Sequence, residues 1–288
     1  ARLRGKILLI LAGLTLVFGV LALVLVQGQA KPMCDPDNGG LKLPAGFCAL
    51  VVADNLGVAR HMAVAPNGDL YVALQTSGGR GAQQAGGGAV ALRDANGDGR
   101  FGVKEPFGSG STTGIAPRNG YVYLAHPLTI ERMKLTTGTL KPTGAAETIV
   151  TGLPTEAQHQ DKGIAFDGNG SLYINVGAPS NACQDPDRRP GVKGVEPCPL
   201  LDKHAGIWKF DENKMGQTQD AGGTRFATGL RQMPAITWHE GALYIVMHNR
   251  DQLDVFWPAN FTAKDNAERP AEPMYRAVQG SDFGWPYC

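Results

Sequence analysis

The stretch Met62-Ala-Val-Ala-Pro-Asn-Gly-Asp-Leu-Tyr71-Val72 decides the fold of this 288-residue chain. Apolar and small residues alternate along it, a Pro-Asn-Gly turn follows, and a second alternating run places a tyrosine between apolar neighbours. Period-two alternation on both sides of a glycine-containing turn predicts a β-hairpin. One hairpin fits many folds, so the fold depends on whether the pattern recurs.

The hairpin pattern returns at residues 114–124, 163–174 and 235–245. Its aligned tyrosines are Tyr71, Tyr123, Tyr173 and Tyr244, which lie 52, 50 and 71 residues apart. Repeats near 50 residues are typical of propellers, whereas solenoids have shorter and more uniform repeats. The remaining alternative is a β-sandwich that contains a repeat by chance.

Further strands are predicted after each hairpin. Residues 89–92, 206–210 and 253–257 are predicted third strands, and residues 146–150 and 224–228 are predicted fourth strands. Four short strands per repeat is the pattern of one propeller blade. We therefore predict an all-β fold, a β-propeller with about four to five blades in this chain, preceded by an N-terminal hydrophobic helix.

The 71-residue interval contains a long insertion, residues 177–201, rich in Pro, Asp and Arg. Cys183 and Cys198 fall within it, and Cys34 and Cys48 form a second pair with similar spacing. Disulfides between these pairs would close two short loops and would order the insertion. Cys288 is left over, and spacing alone leaves the connectivity open, with inert buried thiols as the alternative.

The N-terminal segment is predicted to lie outside the propeller domain, which we assign to residues 31–288. Arg2, Arg4 and Lys6 precede an uncharged apolar run, residues 7–26, long enough to span a bilayer as a helix. Residues 1–30 are read as a membrane anchor or as a signal peptide cleaved near Ala30, with a buried core helix as a third alternative. Both leading alternatives place the domain in the periplasm or another extracytoplasmic space, either secreted or anchored.

Composition restricts the function classes. The formal net charge is +1 and 43% of the residues are hydrophobic, which excludes a disordered chain. A nucleic-acid-binding domain would carry a basic stripe, so no nucleic-acid partner is predicted.

Polar residues are predicted to meet on one face of the propeller. Connections between blades and the links between second and third strands lie on the same face, around the central channel. The residues at these positions are Arg60, His61, His126, Gln158, His159, Gln160, Ser180, Asn181, Arg231, Gln232, His248, Asn249, Arg250 and Asp251. A concave site lined by His and Arg suits acid–base chemistry on a polar or anionic ligand.

Several stretches carry a resemblance to a known family. They are Leu43-Pro-Ala-Gly-Phe-Cys48, Leu172-Tyr-Ile-Asn-Val-Gly177 with Asn181-Ala-Cys183, Ala227-Thr-Gly-Leu-Arg231, His248-Asn-Arg-Asp-Gln-Leu253 and Asp282-Phe-Gly-Trp-Pro-Tyr-Cys288. Through these stretches, most of the chain from Leu43 onward resembles the glucose/sorbosone dehydrogenases, which form the soluble quinoprotein sugar dehydrogenase superfamily. The resemblance is strongest to the L-sorbosone dehydrogenase-type members of that family. The resemblance implies a six-bladed propeller in the full protein, with the last blades beyond Cys288, and pyrroloquinoline quinone (PQQ) bound with calcium.

The resemblance also implies roles for single residues. His159 matches the catalytic base, and Arg231 matches the arginine that pairs with the quinone oxygens. Backbone carbonyls around Asn249 and Arg250 match the ligands of the cofactor's calcium. Gln158 and Gln232 complete the implied cofactor-binding set, although the family carries Asp and Asn at these two positions.

A separate loop predicts a second calcium site. The run from Asp94 to Glu105 matches the twelve-residue pattern D-x-[DN]-x-[DN]-G-x5-E. Its predicted ligands are Asp94, Asn96, Asp98, the Arg100 carbonyl and Glu105. The alternative is a polar turn without a metal.

These expectations favour an enzyme. The first hypothesis is a PQQ-dependent oxidoreductase that oxidises a sugar or a sugar-derived aldehyde, with a quinone or cytochrome as electron acceptor and the membrane as a partner through the N-terminal segment. A calcium-stabilised propeller that binds without catalysis is the second. A lactonase-type hydrolase is the third, and it is less favoured because His and Arg, rather than Asp and Glu, occupy the face positions.

Overall fold

The computed structural model of the chain describes residues 33–76, 86–154, 158–269 and 272–287. The chain divides into two compact units. One unit comprises Ala1–Asp54 and Asp94–Gly102, and the other comprises Asn55–Arg93 and Val103–Cys288. The predicted N-terminal helix, the domain boundary at residue 30 and Cys288 lie outside the described residues.

The larger unit is a β-propeller with four blades, as predicted. The first blade has the order β1 (Val58–Val64), β2 (Leu70–Gln75), β3 (Gly88–Arg93) and β4 (Val103–Phe107). The second has β5 (Gly114–Arg118), β6 (Tyr121–Ala125), β7 (Ile130–Lys134) and β8 (Ala146–Val150). The third has β9 (Ile164–Phe166), β10 (Ser171–Val176), β11 (Gly206–Asp211) and β12 (Thr224–Thr228). The fourth has β13 (Gln232–His239), β14 (Ala242–His248) and β15 (Met274–Ala277).

Neighbouring strands within each blade pair antiparallel, and all four predicted hairpins are confirmed. The short strand β16 (Ser281–Asp282) instead pairs parallel with β12, so the C-terminal end of the described chain adds a fifth strand to the third blade.

One predicted strand is wrong. Residues 253–257 form a helical turn, α1 (Leu253–Phe256), and the third strand of the fourth blade is β15. Leu253 and Phe256 are the buried members of this turn, which is helical spacing rather than strand alternation. The Asn266 side chain accepts the Leu253 N–H at 2.8 Å and so satisfies an N-terminal donor of the turn. Asn266 belongs to the following helix, α2 (Ala263–Glu268). The described residues also form two 3-10 helices, at Asn38–Gly40 and Pro199–Asp202.

The repeated tyrosines fasten the blades to one another. Tyr71, Tyr123 and Tyr173 are at most 2% exposed and lie in the three hydrophobic clusters of the propeller. The Tyr71 hydroxyl donates to the Leu140 carbonyl of the second blade at 2.8 Å. The ring of Tyr173 stacks on Trp238 of the fourth blade, with 5.0 Å between ring centroids. Each of the first three repeats therefore buries an aromatic ring against the next blade.

The first strands of all four blades face one another around the channel. A cavity of about 130 Å³ is lined by consecutive residue pairs from β1, from β5, from the start of β9 and from β13. His61 on β1 lies in this lining, and its ring nitrogens lie 2.7 Å from the Thr113 and Pro234 carbonyls. One imidazole therefore links the first, second and fourth blades.

The described part of the smaller unit consists of residues 33–54 and of Asp94–Gly102, the first nine residues of the predicted calcium loop. The predicted disulfide Cys34–Cys48 is present in it. Arg100 donates to the Val51 carbonyl at 2.9 Å and pairs with Asp35, while the Phe101 N–H donates to the Val52 carbonyl at 2.8 Å. These contacts attach the loop to the segment next to the disulfide.

The predicted disulfide Cys183–Cys198 is also present and closes the insertion. Among the described residues, no helix is long and apolar enough to cross a membrane.

Candidate functional site

His159 lies in the connection that leads into β9, with a left-handed backbone at φ 58°. Its Nδ1 lies 2.6 Å from the Ala178 carbonyl, just after β10. Because a carbonyl can only accept, the hydrogen of the neutral ring lies on Nδ1 and the lone pair lies on Nε2. A Cβ on Gly177 would lie 2.6 Å from the His159 carbonyl oxygen and 2.7 Å from its Cβ. Glycine at 177 is therefore what lets His159 approach β10.

Arg231 directly precedes β13 and is 2% exposed. Its carbonyl accepts the Ala178 N–H at 2.7 Å, so the same residue holds both His159 and Arg231. The guanidinium donates through Nη1 to the His248 carbonyl at 3.4 Å, and Nη2 lies 3.4 Å from Asp251 Oδ2. The two residues predicted to be catalytic are thus brought together, from positions 72 residues apart in the sequence.

Burial and charge set the protonation of this pair. Burial, reinforced by the positive charge of Arg231, lowers the pKa of His159 from 6.5 to about 4. Burial also lowers the pKa of Arg231, and the Asp251 carboxylate opposes that shift. At neutral pH the site therefore holds a neutral imidazole beside a guanidinium, which is the protonation state that a general base requires.

The insertion supplies a residue that sequence analysis missed. Arg188 donates through Nε to Gln158 Oε1 at 2.9 Å and through Nη1 to Asp251 Oδ1 at 2.8 Å. Although burial opposes the shift, the hydrogen bond from Arg188 and the charge of Arg231 lower the pKa of Asp251. Arg188 therefore connects the neighbour of His159 with the counter-ion of Arg231. The sequence signal was a polar insertion between two paired cysteines, but nothing in it marked this arginine.

Asn181 fixes the other side of the same loop. Its side chain donates to the Asp251 carbonyl at 2.9 Å and accepts the Asp251 N–H at 3.3 Å. The Trp285 indole N–H donates to the Asn181 carbonyl at 2.9 Å. Two-point pairing of an amide with one backbone residue holds the position of the Asp251 loop.

The predicted cofactor-binding residues lie in different surroundings. The Gln158 amide is engaged by Arg188 and donates to Asp187 at 2.9 Å. Gln232 is the first residue of β13, opposite His248. The Asn249 N–H donates to Glu272 at 3.1 Å, and the Arg250 N–H donates to the Asn249 side chain at 3.1 Å. The Arg250 residue also lines a separate pocket.

The remaining predicted face residues form other groups. Arg60 pairs with Asp161, which also accepts from Gln75 at 3.0 Å, close to the channel mouth. His126 contacts the Ser111 carbonyl at 3.0 Å, and its Nε2 lies 3.7 Å from Glu131. The residues predicted to share one face therefore form several clusters. One of these clusters consists of His159, Arg231, Asp251 and Arg188.

Arg231 fits a bound quinone. Within the part of the chain that the structure describes, its Nε and Nη2 are buried and lack a hydrogen-bond acceptor. A buried guanidinium that lacks acceptors is costly unless an oxygen of a ligand supplies them. The quinone and carboxylate oxygens of PQQ are acceptors of that kind, with Arg231 and the carbonyls at Asn249 and Arg250 as the groups that would hold the cofactor and its calcium.

The calcium loop is organised by its own hydrogen bonds. Asp94 accepts the N–H groups of Gly97 at 2.7 Å and Gly99 at 2.8 Å. Asp98 accepts the Arg100 N–H at 2.7 Å. Glu105, the predicted last ligand, belongs to β4 of the larger unit and pairs with Ala91. The described residues contain no group of three or more His, Cys, Asp or Glu placed to hold a metal, so this calcium site stays a prediction.

The fold defines the class of protein as a β-propeller. No protein-family model matches this chain, and no curated protein matches it in sequence.

Solved structures similar to this chain include three propellers. The holo PQQ domain of pyranose dehydrogenase from Coprinopsis cinerea has a TM-score of 0.58 and 18% identity, and the match covers 73% of this chain and 48% of that one. A carbohydrate-active enzyme of family AA12 from Trichoderma reesei has a TM-score of 0.62 and 16% identity, and covers 82% and 57%. The PQQ-bound aldose sugar dehydrogenase from Streptomyces coelicolor has a TM-score of 0.51 and 18% identity, and covers 82% and 65%. This chain therefore spans between 48% and 65% of the length of these structures. The predicted β-propeller fold is confirmed, whereas the six blades implied for the full protein stay a prediction.

Proposed function

We propose that this chain is the propeller of a PQQ-dependent dehydrogenase that oxidises a sugar or a sugar-derived aldehyde of the glucose or sorbosone type. The observation that carries the proposal is a neutral His159 close to a buried Arg231 whose Nε and Nη2 make no hydrogen bond to any described residue, although Nη2 lies 3.4 Å from Asp251. The fold shared with a PQQ-bound aldose dehydrogenase supports it.

The chemistry needs a base and a site for negative charge. PQQ, when bound, supplies the acceptor for the two electrons that leave the substrate carbon as hydride. His159 Nε2 takes the proton of the substrate hydroxyl, or of the hydrated aldehyde, while Nδ1 stays fixed on the Ala178 carbonyl. The resulting imidazolium is stabilised by Asp251, whose negative charge already favours the protonated form of His159.

Arg231 stabilises the negative charge that develops on the acceptor during the reaction. Its Nε and Nη2 are available to donate to an oxygen on the acceptor side, and its burial makes each such bond stronger than in water. Asp251 holds the guanidinium in place without neutralising both of its edges.

Dye reduction tests this proposal. Purified full-length protein is supplied with PQQ and Ca²⁺, and reduction of a redox dye is followed with aldoses and with sorbosone as substrates. We expect turnover that falls by roughly 100-fold or more in His159→Ala. Absence of dye reduction together with an unchanged PQQ absorbance would favour a propeller that binds without catalysis.

We further propose an extracytoplasmic location, with electrons passed on to a quinone or a cytochrome. Two disulfides support it, because such bonds persist in oxidising compartments. Fractionation of the native host, with the protein traced by antibody, tests the location, and recovery from the cytosol with free thiols would contradict it.

A further inference from the structure

A second pocket lies beside the candidate site, in the same unit of the chain. It has a volume of about 150 Å³ and is lined by residues of three separate segments: the disulfide-closed insertion, the chain around α1, and the C-terminal Pro286-Tyr287. This volume is well below the roughly 300–1,000 Å³ of pockets for drug-sized ligands, so it suits a single ring.

The walls of this pocket are held in place. The Cys183–Cys198 disulfide closes the insertion, and the Val195 N–H donates to the Cys183 carbonyl at 2.8 Å. The Gly191 N–H donates to the Phe256 carbonyl at 2.9 Å, which ties the insertion to α1. The Tyr287 hydroxyl accepts the Cys198 N–H at 2.6 Å. Three segments that are distant in sequence are thus fixed around one opening, so the pocket is preformed.

The chemistry of the lining points to one kind of ligand. Two aromatic rings, Trp257 and Tyr287, line the pocket together with Arg250 and Glu196. Within the described chain, neither the Arg250 guanidinium nor the Glu196 carboxylate has an ion-pair or hydrogen-bond partner, so the two charges do not neutralise each other.

Other ligand classes fit this lining less well. A purely anionic ligand would meet Glu196, and a cationic ligand would meet Arg250. An apolar ligand would strip water from both charges without replacing it. A neutral polyol ring can give hydroxyl donors to Glu196, hydroxyl acceptors to Arg250 and a C–H face to the aromatic rings.

We propose that this pocket binds one ring of a neutral saccharide, separately from the cofactor site. Its lining contains Arg250, whereas the next residue, Asp251, faces Arg231 at 3.4 Å. The loop that carries both residues therefore forms a wall shared by the pocket and the candidate redox site. A second sugar unit of the substrate, or a free saccharide, would lie there. The inference goes beyond the proposed oxidation and needs no cofactor.

Saccharide titration without PQQ tests the pocket. The full chain is titrated with cellobiose, with D-glucose and with the anion gluconate, and binding is followed by calorimetry and tryptophan fluorescence. We expect saturable binding that weakens by about tenfold in Trp257→Ala, which corresponds to about 1.4 kcal/mol. Glu196→Gln changes an exposed side chain and should weaken saccharide binding without affecting folding. The control Glu240→Gln, also at an exposed side chain, should leave saccharide binding unchanged.

The outcomes separate this pocket from the proposed function. Binding of cellobiose that persists in His159→Ala supports a separate pocket even if no dye is reduced. Loss of binding in His159→Ala would place the sugar at the other site and overturn the inference. It would also be overturned if the wild-type chain shows no saturable binding, if only gluconate binds, or if Trp257→Ala and Glu196→Gln both bind as the wild type does.

Discussion

The two backbone polar groups of Ala178 bind His159 and Arg231. The Ala178 carbonyl lies 2.6 Å from His159 Nδ1, and the Ala178 N–H donates to the Arg231 carbonyl at 2.7 Å. The link places an imidazole and a guanidinium in each other's electrostatic field, which contributes to the low pKa of His159. A displacement of the segment after β10 should therefore disturb both side chains together.

The ionisation of His159 should make folding stability depend on pH. Its pKa is about 4 in the folded protein, below the ordinary value of 6.5, so the unfolded chain takes up this proton first as the pH falls. The stability gained from the neutral folded imidazole is complete above about pH 6.5 and is lost as the pH falls toward 4. Denaturant unfolding of wild type and His159→Gln between pH 4 and 7 measures the difference. Parallel stability curves for the two proteins would refute the low pKa.

Gly177→Ala should displace His159. The new Cβ would lie within 2.7 Å of two His159 atoms, so the connection before β9 must move. We expect a loss of about 1–3 kcal/mol of stability and a fall in turnover of roughly 100-fold. Gly86→Ala is the matched control, since a Cβ there meets nothing of the described chain within 4 Å. Equal melting temperatures and rates for the two variants would show that Gly177 is not needed for this approach.

Arg188→Ala should raise the pKa of His159. The Arg188 charge lowers that pKa directly, and its loss also leaves Asp251 with only Arg231 as a cationic partner in this cluster. NMR titration of the His159 ring measures the shift, and the acid limb of the pH–rate profile should move in the same direction. Arg189→Ala, at an exposed neighbour, is the control. A pKa unchanged in Arg188→Ala would mean that the insertion does not act on the site.

Calcium should stabilise the chain through the loop that begins at Asp94. If the loop binds the ion, added Ca²⁺ should raise the melting temperature and a chelator should lower it, and Asp98→Ala should abolish both effects. The control is Asp220→Ala, an exposed aspartate in the larger unit. If neither calcium nor chelator changes the melting temperature of the wild type, the loop is a metal-free turn held by its own hydrogen bonds.

Tyr71→Phe should destabilise the contact between the first and second blades. The hydroxyl is buried and donates to the Leu140 carbonyl at 2.8 Å, so its removal leaves a carbonyl without its partner and costs about 1–3 kcal/mol. Tyr244→Phe, in the same repeat position of the fourth blade but half-buried, should cost less. Denaturant midpoints compare the two, and equal losses would argue against a specific role for the Tyr71 hydrogen bond.

The sequence by itself determined the propeller, because four copies of one hairpin with an aligned tyrosine are a local pattern that the blades need in order to bury their faces. It suggested both disulfide pairs without fixing their connectivity, which the structure supplied, and it predicted that His159 and Arg231 lie in connections on the same face. The prediction for residues 253–257 was wrong because a short, mostly apolar run fits a strand as well as one helical turn. Asn266, thirteen residues past Leu253, caps the turn.

Tertiary structure decided the rest. Only folding brings Arg188 onto Gln158 and Asp251, which lie 30 and 63 residues away in the chain. Only in the folded chain do burial and the charges of Arg231 and Arg188 move the pKa of His159 to about 4. Folding also leaves Nε and Nη2 of Arg231 buried without a hydrogen bond among the described residues. The physical reason is that hairpins follow from residues a few positions apart, whereas desolvation and charge pairing depend on residues whose proximity no local pattern records.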